Sequence, residues 1–336
     1  MADRALGAAA PDPARPQVRT RQAGLMRALI AFDGSDGAAV AVALAESIPW
    51  PKDSVLRVVS VIEPMAMPMP GPWTRGVVDV PEFDATVSRQ VGDANAGVVE
   101  RLNRDGVSAD GVVHRGRPAD TIVEEAQFFG ADLVVMGSRG HGRIASLLLG
   151  SVSTEVVHHA PCPVLVARRT SMSRVVFATD DSHSAIGAEA CLAAWPIFEG
   201  LPIRVISVAD VVHPWTTGIA PTVYRQALDT YAADLREAKE AHLRAAEASA
   251  RRLGDAGRRA EAEMRYGDPA AEIIAGAEAS GADLIVLGSR GLTGLARLLL
   301  GSVARNVLSG SAASVLVVRD TSQADQAAKG SHRDNA

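Results

Sequence analysis

The 336-residue sequence has only two cysteines, Cys162 and Cys191. They fall in different parts of the chain without metal-ligand spacing, and read as free, buried or partly buried thiols of a reducing compartment instead of a disulfide framework. No run of about 18 apolar residues occurs, so no membrane-spanning helix is expected. The N-terminal stretch MADRALGAAAPDPARPQVRTRQAG lacks the continuous apolar segment of a secretory signal. Positive charge is not in excess either. The formal net charge of −5 gives no general electrostatic grip on nucleic acid or an anionic membrane. The eight histidines are scattered, and the adjacent pair His158 and His159 lies on a helix-like stretch without ligand spacing, which argues against a protein metal centre. There is no G-x-x-x-x-G-K-[ST], which argues against a P-loop NTPase. What remains is an ordinary globular composition, 47% hydrophobic and 22% charged, long enough for two domains, with the cytoplasm as the expected location.

The chain is an internal repeat. RALIAFDGSDGA (27–38) matches RVVFATDDSHSA (174–185), which sets Asp33 against Asp180 and Ser35 against Ser182. RVVSVIE (57–63) matches RVISVAD (204–210), and the final runs PVLVAR (163–168) and SVLVVR (314–319) match as well. The offset moves from 147 to 151 between the second of these segments and the matched Gly116-Arg-Pro118 and Gly267-Asp-Pro269, so the second copy carries four extra residues in its middle. Domains over 25–169 and 173–319 follow, with polar or Ala/Pro-rich tails at 1–24 and 320–336 that are expected to be disordered.

Within each copy, short β-branched runs bounded by Gly, Pro and Asp alternate with stretches of helical spacing at 37–48, 82–105, 118–129 and 151–159. That alternation predicts βαβ crossovers and an α/β fold, a parallel sheet with helices on both faces. The long helix of the second copy, about 224–254, is expected to bury a stripe of Leu228, Tyr231, Leu235, Leu243 and Leu253. Pro-rich loops at 64–73 and 213–222 follow the second strand of each copy, where they would act as flaps over a ligand.

One phrase carries chemistry. ADLVVMGSRGHGRIASLLLGS (131–151) and ADLIVLGSRGLTGLARLLLGS (282–302) each run from a strand into G-x2-G-x9-G-S. Glycines at Gly137 and Gly140, or Gly288 and Gly291, let backbone amides approach an anion. Gly150-Ser151 and Gly301-Ser302 then open a helix whose first amides point into the same space, with Ser151 a candidate cap. The alternative is that these glycines serve only tight turns and helix packing. The looser match Gly140-His-Gly142-Arg-Ile-Ala145 to a dinucleotide fingerprint follows a late strand and is broken in the second copy by Thr293.

The pattern G-x2-G-x9-G-[ST] after a D-L-[IV]-V-[ML]-G-S-R-G strand, with a first-strand aspartate and a terminal [PS]-V-L-V-x-R strand, resembles the universal stress protein family, in its ATP-binding branch. The resemblance covers both copies. It implies two tandem doubly wound, Rossmann-like domains of the adenine nucleotide alpha hydrolase type, each with an ATP site. Carried over by position, Asp33 and Asp180 lie near the adenosine, Val61 and Val208 read the adenine edge through their backbone, and Met136 and Leu287 precede the phosphate loop. Gly137, Gly140, Gly150, Ser151 and Val152 cradle phosphate, as do Gly288, Gly291, Gly301, Ser302 and Val303. Arg139 and Arg290 are shared cations that could neutralise it. Asp181 replaces Gly34, His141 and Arg143 become Leu292 and Gly294, and Arg297 replaces Ser146, so two unequal sites are expected. Mg²⁺ would arrive with the nucleotide. No catalytic base recurs in both loops, so a regulatory ATP-binding module is favoured over a slow ATPase or phosphotransferase, or a dimerising scaffold. The resemblance also implies that the last strands pair as an internal pseudo-dimer, with a homodimer of chains as a further level.

Overall fold

The computed structural model describes residues 25–64, 80–104, 106–140, 149–210, 221–291 and 300–319. Both tails, nearly all of the two Pro-rich loops and the loop interiors 141–148 and 292–299 lie outside these residues. The first copy runs β1 (Arg27–Ala31), α1 (Asp36–Ser47), β2 (Val55–Ile62), α2 (Val80–Arg104), β3 (Ser108–Arg115), α3 (Pro118–Phe129), β4 (Leu133–Gly137), α4 (Ser151–His159) and β5 (Val164–Ala167). The second repeats it as β6 (Val175–Ala178), α5 (His183–Ala194), β7 (Pro202–Ala209), α6 (Pro221–Asp255), β8 (Arg259–Tyr266), α7 (Pro269–Ser280), β9 (Leu284–Gly288), α8 (Ser302–Gly310) and β10 (Ser314–Val318), with a short 3-10 turn at Pro196–Phe198.

The ten strands among the described residues belong to one sheet, in the order β3-β2-β1-β4-β5-β10-β9-β6-β7-β8. Every pairing is parallel except the central one, where β5 and β10 run antiparallel with Leu165 opposite Leu316. The two halves are therefore related end to end through their last strands. Strand order reverses direction between β1 and β4, and again between β6 and β9. In an open α/β sheet a crevice opens at such a switch point, beyond the carboxyl ends of the strands. Asp33 follows β1 and Gly137 ends β4, so both flank the first of these crevices.

Local sequence explains the helix ends. Ser35 and Ser182 cap α1 and α5 through their hydroxyls, which accept from Ala38 N–H at 3.2 Å and Ala185 N–H at 3.3 Å. α3 and α7 begin on Pro118 and Pro269, and end on Gly130 and Gly281 in the left-handed conformation, the order of residues that backbone geometry favours.

Two apolar layers sandwich the sheet. One packs α1, α2, α5 and α6 on residues such as Ile30, Leu165, Phe177 and Leu316; the other packs α3, α4, α7 and α8 on Leu29, Val166, Ile285 and Val315. Both layers continue across the β5–β10 seam. Arginines bolt it as well: Arg168 Nη2 donates to the Leu308 carbonyl, while Arg319 Nη1 donates to the carbonyls of His158 and, at 3.3 Å, Ala160. Cys162 and Cys191 sit inside these layers, and burial pushes the Cys191 thiol up to about 12.

The stripe expected on α6 needs correction. Leu253 is fully buried, but Leu243 is 40% exposed, and the side chains of Leu228 and Tyr231 lie outside the described residues. The buried line is Ala246, Ser249 and Leu253, because small residues let the helix lie close on β7 and β8. Among the described residues no helix is long and apolar enough to cross a membrane.

Candidate functional site

Each half encloses a cavity at its switch point. The first, about 740 Å³, is lined by Asp33, Val61, Met136, Gly137, Arg139, Gly140, Gly150, Ser151 and Val152, which are all nine positions singled out in that copy. The second, about 360 Å³, is lined by the corresponding nine: Asp180, Val208, Leu287, Gly288, Arg290, Gly291, Gly301, Ser302 and Val303. Both volumes fall within the roughly 300–1,000 Å³ of small-ligand sites.

The walls are built alike. Asp33 Oδ1 accepts the Ser35 N–H at 2.9 Å, and Asp180 Oδ1 accepts that of Ser182 at 3.1 Å. This local turn fixes each carboxylate and places its other oxygen against the second glycine of the repeated phrase. A methyl group built on Gly140 would stand 2.6 Å from Asp33 Oδ2, and one on Gly291 would stand 2.8 Å from Asp180 Oδ2. A side chain at either position would have to displace the facing carboxylate or the loop. Gly137 is likewise packed on the Gly37 backbone, and Gly288 on Ser184.

Each glycine-rich segment closes on itself by a backbone bond, Gly150 N–H to Ser138 O at 2.9 Å and Gly301 N–H to Ser289 O at 2.8 Å. Here one expectation is corrected. Ser151 and Ser302 are the first residues of α4 and α8, and the N-cap positions are Gly150 and Gly301, which supply no side-chain acceptor. The amides of the first turn are thus not satisfied by a cap, and they carry the positive end of the helix into the cavity. Ser153 Oγ donates to Gly137 O at 2.9 Å and holds α4 against the end of β4.

Arg139 and Arg290 border the cavities. Burial, together with the nearby Arg139 cation, pushes Arg168 down to about 10; Arg319 is lowered by burial and by Arg290 in the same way. Asp181, the extra charge of the second copy, does not line its cavity. It sits at φ +60°, where Gly34 has +80°, and faces Arg252 at 3.4 Å, which is also bound to Glu189. The loop differences at His141, Arg143, Ser146, Leu292, Gly294 and Arg297 fall outside the described residues.

Sequence reasoning missed the apolar contributions of other helices: Val87 and Val91 from α2 and Ile122 from α3 in the first cavity, and Ile273 from α7 in the second. Pro118 and Pro269, which open α3 and α7, also line the cavities; the matched Gly-x-Pro segments were the available signal for them.

This fold, a duplicated doubly wound sheet with a glycine-lined cavity at each switch point, defines the class of protein. The universal stress protein family model matches residues 25–168 and again 172–319, and the chain belongs to that family. A universal stress protein of Thermus aquaticus is 38% identical over 42% of this chain and 96% of its own length. One of Mycobacterium tuberculosis is 29% identical over 80% of this chain and 87% of its own. Among solved structures, a universal stress protein from Archaeoglobus fulgidus superposes with a TM-score of 0.61 at 20% identity, covering 88% of this chain and 98% of that one. Another universal stress protein was solved in complex with cAMP; it covers 44% of this chain at 25% identity with a TM-score of 0.33.

Proposed function

We propose that this protein binds ATP at one site in each half and acts as a regulatory module whose occupancy alters its conformation or its choice of partner. The observation that carries the reading is the repeated junction of Asp33 with Gly140 and Asp180 with Gly291, beside a helix capped only by glycine. An anionic chain of phosphates suits the first-turn amides of Ser151 and Val152, or of Ser302 and Val303, with Arg139 or Arg290 at the border. A ribose hydroxyl suits Asp33 Oδ2 or Asp180 Oδ2. The flat apolar base suits the space beside Val61 and Met136, or Val208 and Leu287, where backbone groups of the second strand can read its edge. Mg²⁺ would travel with the nucleotide, on phosphate oxygens.

The β5–β10 pairing serves in this reading as an internal dimer contact, so that events in one site reach the other through the seam; association of whole chains and a cytoplasmic setting complete the proposal. Titration calorimetry with ATP–Mg²⁺, ADP and cAMP tests it. Two sites of unequal affinity are expected, one removed by Gly140→Asp and the other by Gly291→Asp. Absence of heat with every nucleotide would defeat the reading, and steady phosphate release that the double variant abolishes would convert it to an ATPase.

A further inference from the structure

Two partly buried arginines cross the seam, and each ends on a helix that opens a cavity of the opposite half. Arg168 follows β5 of the first half, and its Nη2 donates to the Leu308 carbonyl in the last turn of α8. Arg319 follows β10 of the second half, and its Nη1 donates to the carbonyls of His158 and Ala160 at the end of α4. The other ends of these helices face the cavities: Ser302 and Val303 of α8 line the second, Ser151 and Val152 of α4 the first. Each helix has nine residues, a rod of roughly 13 Å. Its N-terminus serves the ligand space of its own half, and its C-terminus is gripped from the other.

Ion pairing does not account for this placement. Among the described residues neither arginine meets a carboxylate, and Arg168 Nη1 is buried without a hydrogen-bond partner. Burial and a neighbouring arginine oppose each charge. The free carbonyls at a helix C-terminus supply the negative potential instead, and a cation there stabilises the helix most when it is partly buried. The strand ends that carry the arginines are themselves pinned. The amides of Arg168 and Arg169 donate to Ser314 Oγ of β10 at 3.1 and 3.0 Å, and Val318 O accepts from Ser289 N–H at 2.8 Å. At the cavity end, glycine caps give neither helix a side-chain bond. α4 has the Ser153 bond to Gly137 O as a second tie, whereas Ala304 occupies the matched position of α8 and has no hydroxyl to offer.

We propose that Arg168 and Arg319 are positioning residues in trans: Arg168 of the first half sets the second nucleotide site, and Arg319 of the second half sets the first. This rests on the nucleotide reading above. A phosphate at the first-turn amides and a guanidinium at the last-turn carbonyls act on the same short helix from its two ends, and both favour one aligned position of it. Without the guanidinium the far end of the helix is loose, and the amides lose their aim at the cavity. α8 leans on its arginine more heavily than α4, because it lacks the serine tie. A purely local role for the charge has the opposite signature. Arg168 feels Arg139 of its own half, so a cation that acted only through nearby potential would serve the first site, not the second.

The test is ATP–Mg²⁺ calorimetry on the full chain, one site at a time: Gly140→Asp leaves the second site to report, and Gly291→Asp the first. Arg168→Gln is expected to weaken the second site about three- to tenfold and to change the first by under about twofold. Arg319→Gln is expected to do the reverse, with the smaller loss. Arg168→Lys keeps a cation within reach of the α8 carbonyls and is expected to recover most of the second-site affinity. Weakening confined to the half that carries the substituted arginine overturns the proposal and leaves the nucleotide reading intact. So does an equal loss at both sites, which marks general damage to the seam, or no loss at either. If neither single-site chain binds ATP, the nucleotide reading fails and the proposal with it. Should Arg168→Gln fail to fold, hydrogen exchange in the Gly140→Asp chain decides. Because coupling is reciprocal, saturating ATP in the second site must slow exchange of the Arg168 and Arg169 amides of the first half, and unchanged exchange there refutes the proposal.

Discussion

A single methyl group added at Gly140 should disable the first site without unfolding the half that holds it. The added carbon of Gly140→Ala would lie 2.6 Å from Asp33 Oδ2, well inside contact distance. The loop or the carboxylate must move. The carboxylate cannot swing without giving up the Ser35 N–H bond at 2.9 Å, a charge-assisted contact worth about 1.5–3 kcal/mol. Relief through the loop instead disturbs the short closure between Gly150 N–H and Ser138 O. Either way the oxygen that faces the ribose leaves its place, and a loss of about 1.4–2.7 kcal/mol corresponds to roughly ten- to hundredfold weaker ATP binding. Calorimetry on Gly140→Ala in a Gly291→Asp background isolates this site. Stability should fall by only about 1–3 kcal/mol, the ordinary cost of overpacking. Unchanged ATP affinity would refute the argument that Asp33 and the loop form one binding unit.

Two further predictions concern the seam. Leu316 is 1% exposed and faces Leu165 in a layer shared by both halves, so Leu316→Ala should cost about 2–5 kcal/mol and lower a single calorimetric unfolding transition; two transitions of which only one shifts would show that the halves fold independently. His158 has a half-buried ring whose Nε2 finds no hydrogen-bond partner among the described residues, and its titration is lowered by burial, by His159 and by Arg305 and Arg319 of the other half. The unfolded chain therefore binds more protons than the folded one between that lowered value and about 6.5, and stability should decline as pH falls through this window. His158→Gln should decline less over the same range, and equal urea midpoints for the two proteins at about pH 5.5 and 7.5 would count against it.

The site was legible because it depends on backbone approach. A side chain at 137 would meet the Gly37 backbone at 2.4 Å and one at 140 the Asp33 carboxylate at 2.6 Å, so the spacing of these glycines survives duplication as a readable phrase, and all eighteen singled-out positions meet in the two cavities. Asp33 and Asp180 could be aligned for a related reason, since each lies two residues before a serine that caps a helix. Helix-borne wall residues were not legible. Which side chains of α2 face the cavity depends on angular register counted from the helix end, and four extra residues somewhere along the repeat leave that register undecided. For the same reason Leu243 was placed on the buried stripe, although the buried line runs through Ala246, Ser249 and Leu253. The reading of Ser151 as a cap erred by one residue, because a glycine at the cap position leaves no side-chain signature.

The central claim is that each half holds one nucleotide, and native mass spectrometry of the freshly purified full chain in the presence of ATP–Mg²⁺ tests it most directly. The account predicts a species carrying two nucleotides per chain, reduced to one by either Gly140→Asp or Gly291→Asp and to none by both together. A wild-type chain that carries no nucleotide, or a double variant that still carries two, would contradict it.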